Sequence, residues 1–198
     1  ASPMDYQVID LADWPRTEYF DHYLNAVPCS YSMTVQLELT DGTVRQLTSA
    51  VETRETEVET ETGETDENGE PIYETTTETE EITLWSLDGQ PLPEGAVGLE
   101  DWLYDLSTLY LDSCSAFKAD QEELSACGMD GASLLTVSLT SGETFTLAIG
   151  GQTEDGSYVY AALEAPAPGC DLFLISADKA RTLSDLNYES LSANEEAE

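Results

Sequence analysis

Residues 24–47 read LNAVPCSYSMTVQLELTDGTVRQL, and residues 124–147 read LSACGMDGASLLTVSLTSGETFTL. The two stretches align at an offset of 100 residues and share the same residue at six positions. In each copy an alternating apolar run meets a tight turn, Asp41-Gly42 or Ser141-Gly142, and then returns. Alternation with a period of two is typical of a strand with one buried face. The repeat therefore predicts two related units, each built on a β-hairpin.

A helical pattern lies between the two units. Apolar residues recur there at i, i+3, i+4 and i+7, which predicts an amphipathic helix from Leu99 to Leu111. Asp120 and Glu123 have the spacing of a capping box, and Ser176 is placed to cap a last helix. The predicted fold class is α+β, with two related antiparallel β-sheet units linked by helices and a long protruding acidic β-hairpin.

The composition divides the chain into five predicted parts. They are an N-terminal helical segment (1–33), a first β-unit with a Glu/Thr-rich hairpin at 51–81 (34–98), linking helices (99–130), a second β-unit with a C-terminal helix (131–188), and an acidic, disordered tail (189–198).

Acidic residues dominate the chain, with 41 Asp or Glu against 6 Lys or Arg and a net charge of -35. This balance excludes nucleic acid and an anionic membrane surface as partners, because both bind clustered Lys and Arg. Residues 51–81 hold 13 acids and one base, a net -12 of the total, so -23 falls on the remaining residues.

The acidic segment alternates Glu with Thr on both sides of Asn68-Gly69, a strong hairpin signal. A two-residue turn there opposes Glu59 with Glu78 and Glu57 with Glu80, and it gives the hairpin one acidic face and one Thr/Val face. These four carboxylates are weak candidates for a calcium site, and no other cofactor is expected. An EF-hand is rejected because helical flanks and the acid at loop position 12 are missing. The alternative is a solvated ribbon whose charge prevents aggregation.

Four cysteines, Cys29, Cys114, Cys127 and Cys170, lie far apart in the sequence. With a single histidine and no Cys-x-x-Cys pair, a zinc or haem site is not expected. Two interpretations stay open: two disulfides of an exported protein, or free buried thiols.

No catalytic constellation stands out. The only histidine, His22, follows Asp21 in a predicted helix, and no Gly-x-Ser-x-Gly elbow is present. Among 41 carboxylates, pairs at glycosidase-like separations arise by chance. The sequence therefore predicts no catalytic residue and no enzyme activity.

Several motifs together resemble a known family. They are Trp85 at a strand end, the helix that follows, LSACGMD (124–130), the run from Leu135 to Gly150, GSYVY (156–160) and DLFLIS (171–176). In this order they resemble the domain of unknown function 4340 family, although residues 128–132 lack the proline of its pattern. The resemblance implies a bacterial envelope protein, tethered by an N-terminal segment or lipid and in some cases associated with an ABC-type transport system. It carries no catalytic residues.

The predicted function is therefore a non-enzymatic, extracytoplasmic protein-binding or scaffolding module of the cell envelope. Its expected partner is another envelope protein, and membrane contact is expected only through an N-terminal anchor already removed. One alternative is a cell-surface carbohydrate or calcium-dependent ligand binder. A second, less favoured one is a carboxylate-based hydrolase.

Overall fold

One antiparallel sheet organises the computed structural model, which describes residues 33–65 and 71–194. Within those ranges nine strands pair in the order β4-β3-β2-β1-β6-β7-β8-β9-β5. Their bounds are β1 Met33–Glu38, β2 Val44–Thr65, β3 Pro71–Leu87, β4 Gln90–Pro91, β5 Ser113–Ala116, β6 Ser133–Leu139, β7 Thr144–Gln152, β8 Tyr158–Ala162 and β9 Leu172–Ser176.

The centre of this sheet is the pair of β1 and β6, the first strands of the two sequence repeats. Val35 lies opposite Val137, and Leu37 lies opposite Leu135. All four side chains are buried. The prediction of two β-sheet units linked by helices is therefore wrong. Each repeat alone would leave the open edge of an apolar strand, and pairing the two first strands with each other satisfies both edges.

The turns of the two repeats are nearly identical. Leu39 donates its N–H to Thr43 O at 2.8 Å, and Leu139 donates to Glu143 O at 2.8 Å. Gly42 and Gly142 have positive φ values of 81° and 92°. This backbone conformation is favourable only for glycine, which explains why both copies carry Gly at this position.

Helices cover the sheet and connect its halves. They are α1 Val97–Ser107, α2 Gln121–Ala126, a 3-10 turn Met129–Gly131, α3 Ala177–Ser184 and α4 Tyr188–Leu191. The predicted capping box is present at α2, where Glu123 N donates to Asp120 Oδ1 at 2.9 Å. Ser176 caps α3, as predicted.

The helix predicted at 99–111 is confirmed with different bounds. It buries Leu99, Trp102 and Leu106 but ends at Ser107. The N-terminal helical segment predicted for 1–33 lies outside the described residues except Met33, and residues 195–198 of the predicted tail do so as well. No helix in the described ranges has the length and apolar composition needed to span a bilayer.

The main core lies between the central strands and α1, α3 and α4. Its fully buried side chains include Val35, Leu37, Leu47, Leu106 and Leu135. A smaller core under α2 contains Leu124, Met129 and Leu172. Since burial of one such side chain stabilises the fold by roughly 1.5–3 kcal/mol, β1 and β2 are integral to the domain.

Beyond the core, β2 and β3 continue as a two-stranded ribbon, which we define as residues 50–65 and 71–84. It projects because β1 pairs only with residues 44–48 of β2. Most described ribbon side chains, including Val51 and Tyr73, are exposed.

Candidate functional site

The ribbon was the first candidate site, and its register differs from the predicted one. Glu57 lies opposite Thr77, and Glu59 lies opposite Thr75. The predicted pairs, Glu59 with Glu78 and Glu57 with Glu80, are therefore not formed. In the described register no acid lies directly opposite another acid, which avoids the roughly 0.2–1 kcal/mol cost of directly opposed like charges. Glu57 and Glu59 face threonines, and Glu80 faces Arg54.

This register divides the four candidate calcium ligands between two faces. Opposite residues share a face, so Glu57 and Glu59 lie on one side. Glu78 lies opposite Thr56 and Glu80 opposite Arg54, on the other side. Across the described part of the chain, no group of three or more His, Cys, Asp or Glu is placed to hold a metal ion. Calcium binding stays an untested prediction, and the predicted turn at Asn68-Gly69 lies outside the described residues.

The ribbon is fixed at its base by an ion pair. Arg54 donates to both carboxylate oxygens of Glu94, at 3.2 and 2.9 Å. This hydrogen-bonded pair lowers the pKa of Glu94 and raises the pKa of Arg54. Both side chains are about half exposed, so the pair orients the ribbon more than it stabilises the fold.

Three of the four cysteines, Cys114, Cys127 and Cys170, are free thiols in this structure. Cys29 lies outside the described residues. Burial raises the pKa of the Cys114 and Cys127 thiols, and the charges of Asp171 and Glu123 add to the respective shifts. A raised pKa leaves less of the reactive thiolate at neutral pH, so neither thiol has the environment of a nucleophile.

A cavity of about 440 Å³ lies between the sheet and α3. We call it the glycine cavity. Residues from both repeats and from α3 line it, among them Thr40, Gly128, Ser133, Gly150, Gly151 and Arg181. Its volume is within the range of small-molecule sites.

Gly128, Gly150 and Gly151, three glycines of this cavity, are required by close packing. Gly128 has φ +70°, and a Cβ there would lie 2.9 Å from Gly151 N. A Cβ on Gly150 would collide with Met129 Sδ, and one on Gly151 would lie 3.0 Å from Cys127 O. Both Gly150 and Gly151 lie inside strand β7. A glycine pair within a strand pattern is the signal that could have indicated a bulge or close approach.

A second cavity, of about 280 Å³, lies between α1, α3 and α4. We call it the indole cavity. Its lining includes Gly98, Asp101, Trp102, Arg181, Asp185 and Leu191. Arg181 thus contributes to both cavities. Sequence analysis missed these residues as a site because they come from three separate helices.

Two hydroxyl–carboxylate pairs resemble a nucleophile beside a base. Ser141 Oγ donates to Glu143 at 2.9 Å, and Thr153 Oγ1 donates to Asp155 at 2.7 Å. Each pair is two residues apart in an exposed turn, a common way to stabilise turns. The hydrogen bond from Thr153 lowers the pKa of Asp155, so this carboxylate is a poor base.

Comparison with known proteins gives a partial match. Residues 4–53 match the family model of chloramphenicol acetyltransferase. We call residues 4–53 the matched segment. No solved structure matches the chain.

Curated chloramphenicol acetyltransferases also match a short part of the chain. The one from Clostridium perfringens is 52% identical over 44 residues, which is 22% of this chain and 20% of the relative. The one from Vibrio anguillarum is 54% identical over 37 residues, 19% of this chain and 17% of the relative. The one from Streptomyces acrimycini is 56% identical over 32 residues, which is 16% of this chain and 14% of the relative. The chain therefore spans about a fifth or less of the length of these relatives.

These findings correct the functional predictions. They give no support for the domain of unknown function 4340 family, and that resemblance is wrong. Its motifs lay mainly at 124–176, outside the matched segment, and consist of strands and turns common to antiparallel sheets. The matched relatives are named as acetyltransferases, so the expectation of a non-enzymatic envelope scaffolding module is overturned as well. The two alternative functions, a carbohydrate or calcium-dependent ligand binder and a carboxylate-based hydrolase, are not supported by these matches either.

Proposed function

We propose that this chain takes part in acetyl transfer to a small hydroxylated acceptor of the chloramphenicol class. The observation that carries the proposal is the match of residues 4–53 to chloramphenicol acetyltransferases. The described end of the matched segment is built into the fold. Its strand β1 is one of the two central strands of the sheet, and Val35 and Leu37 are fully buried there.

We place the acceptor in the glycine cavity. Thr40 brings the matched segment to its wall, opposite residues of β7 and α3. The hydroxyls of Ser133 and Ser184 supply polar contacts, while Ile149 and Val159 supply apolar surface. A small pocket that combines hydroxyl groups with some apolar surface can hold a small alcohol.

The reaction itself sets one further requirement. The acceptor oxygen attacks the carbonyl carbon of an acetyl thioester, the thiolate leaves, and a base takes the hydroxyl proton. The chain has one histidine, His22, which lies in the matched segment and outside the described residues. The proposal assigns no described residue as the base.

The test uses the full chain, acetyl-coenzyme A and chloramphenicol, with product analysis by mass spectrometry. We expect acetylated chloramphenicol above the protein-free background. Thr40→Leu, which fills the cavity wall, should lower kcat/KM. Thr140→Leu is the matched control, since Thr140 occupies the same position in the other repeat and is not among the residues that line the cavity. Absence of product from the wild-type chain would contradict the proposal.

A further inference from the structure

The glycine cavity contains a buried hydroxyl group without a partner. Ser133 lines this cavity, is only 9% exposed, and is the one buried polar residue in the part of the chain that the structure describes. Its hydroxyl has no hydrogen-bond partner there, and the only unpaired side-chain atom closed to solvent in that part is Trp102 Nε1. The Ser133 hydroxyl is therefore accessible from the cavity. Since buried polar groups are nearly always paired, it points to a partner that enters the cavity.

The alternation of strand β6 directs this side chain toward α3. Ser133, Leu135 and Val137 follow one another on the buried face of the strand. That face forms the main core together with Ala177 and Ala180 of α3. Both alanines also line the glycine cavity. Ser133 thus faces the space between the sheet and α3, on the side opposite to solvent-facing residues of β6.

The other repeat shows that the hairpin itself does not require a serine at this position. The equivalent residue is Met33, which is also buried. Met33 opens β1 opposite Leu139, and Ser133 opens β6 opposite Ile149. An apolar residue therefore fits this position of the hairpin, whereas an unpaired buried hydroxyl costs stability. A residue that lowers stability without a structural need is typical of a binding site.

The neighbouring polar side chains leave Ser133 as the buried anchor of the cavity. Ser184 Oγ donates to Ala180 O at 2.8 Å, and Gln152 Nε2 donates to Gly156 O at 2.7 Å. Both of these donors are therefore already used. A serine hydroxyl donates and accepts, so it pairs well with another hydroxyl. A net charge of -35 repels anions, which favours a neutral ligand.

We propose that Ser133 is the specificity-determining residue of the glycine cavity, where its hydroxyl binds a second hydroxyl of the acceptor, one that does not receive the acetyl group. The choice of acceptor rests on the proposed function, but this binding step needs no acetyl donor. A ligand without the second hydroxyl leaves Ser133 buried and unpaired. The cavity therefore discriminates against such a ligand.

The experiment compares two neutral ligands that differ by one hydroxyl, styrene glycol and phenethyl alcohol. Ligand-observed NMR titration of the full chain measures both dissociation constants in the absence of acetyl-coenzyme A. We expect styrene glycol to bind about tenfold more tightly to the wild type. Ser133→Ala should weaken styrene glycol binding by about the same factor, so that this variant binds the two ligands equally.

Ser138→Ala is the matched control, because Ser138 lies on the other face of β6 and is not among the residues that line the cavity. It should keep the preference for styrene glycol. Thermal unfolding separates binding from a structural role. Ser133→Ala removes an unpaired buried hydroxyl, so its midpoint should stay at or above the wild-type value. A lowered midpoint would indicate that Ser133 is structural and would contradict the proposal.

Three further outcomes would overturn the role of Ser133. They are no binding of millimolar styrene glycol, equal binding of the two ligands to the wild type, and a preference that persists in Ser133→Ala. The wild-type comparison tests the proposal even if the variant does not fold. Formation of acetylated chloramphenicol without this preference would refute only the role of Ser133. A preference that depends on Ser133, without any acetylated product, would refute only the acetyl transfer.

Discussion

At the scale of single residues, Gly128 shows how one backbone position sets the shape of the glycine cavity. Gly128→Ala adds a Cβ 2.9 Å from Gly151 N and forces alanine to adopt φ +70°. We expect a loss of about 2–4 kcal/mol in the free energy of unfolding, from left-handed strain and overpacking together. Urea denaturation measures it.

Gly95→Ala is the control for that measurement. Gly95 has the same φ of +70°, but a Cβ there has nothing within 4 Å. It should lose only the roughly 1–2 kcal/mol of left-handed strain. Equal losses at both positions would show that the contact with Gly151 contributes nothing.

Lys179 is the residue that ties α3 to the end of α1. Its Nζ donates to Thr108 O at 2.9 Å, contacts Thr108 Oγ1, and lies 3.7 Å from Asp105. The side chain is mostly buried, so Lys179→Met should cost about 1–3 kcal/mol through the acceptors left unpaired. Arg181→Gln, which breaks only the exposed pair with Asp178, should cost less than about 0.5 kcal/mol. Thermal unfolding measures both variants, and equal losses of stability for Lys179→Met and Arg181→Gln would contradict the prediction.

At the scale of elements, the two repeated hairpins carry an acid at different turn positions, Asp41 in the first and Glu143 in the second. Thr43 N donates to Asp41 Oδ1 at 2.8 Å, and this bond lowers the pKa of Asp41. A lowered folded-state pKa contributes stability above the unfolded pKa, and this stability is lost as pH falls through the folded value. The equivalent Ser141 cannot titrate in this range.

Acid titration therefore separates the two turns. From neutral pH to about pH 3, wild type should lose more thermal stability than Asp41→Ser, which copies the other turn. Ser141→Asp should add the same dependence at the second turn. Differences between variants are the useful quantity, because protonation of many other carboxylates shifts all curves together. If thermal stability fell equally with pH in wild type and Asp41→Ser, the Asp41 carboxylate would contribute no pH-dependent stability, which would contradict the prediction.

The ribbon register is the second element-scale prediction. Directly opposed Cα atoms of an antiparallel pair lie about 4.5–5.5 Å apart, within the reach of a disulfide. Glu57→Cys with Thr77→Cys should therefore cross-link under mild oxidation. Glu57→Cys with Glu80→Cys, the pair of the register predicted from sequence, should not. Mass measurement after thiol alkylation distinguishes them, and cross-linking of the second pair alone would refute the observed register.

At the scale of the whole molecule, the sequence predicts turns, caps and buried helix faces but not which strands pair with each other. The turns at Gly42 and Gly142, the capping box at Asp120 and the buried face of α1 follow from short-range rules. The pairing of β1 with β6 joins residues about a hundred positions apart, and no local pattern specifies it. For the same reason the two cavities, assembled from several elements, were not predicted.

The same sheet order predicts which parts of the chain the fold requires. Removal of residues 1–53 deletes β1 and the start of β2, including the buried Val35, Leu37 and Leu47. It also exposes the apolar edge of β6, so we expect the remainder to lose cooperative unfolding and to aggregate. Circular dichroism during heating measures this.

Replacement of residues 55–79 by a short turn is the matched control for that truncation. It removes much of the acidic ribbon, and every described side chain in that stretch is exposed or only partly buried. β2 and β3 still pair at their bases, where Leu47 lies opposite Leu87 in the core. We therefore expect the thermal midpoint to stay close to wild type. A cooperative, wild-type-like transition of the 54–198 fragment would show that β1 is dispensable, and it would remove the structural argument that links the matched segment to the rest of the fold.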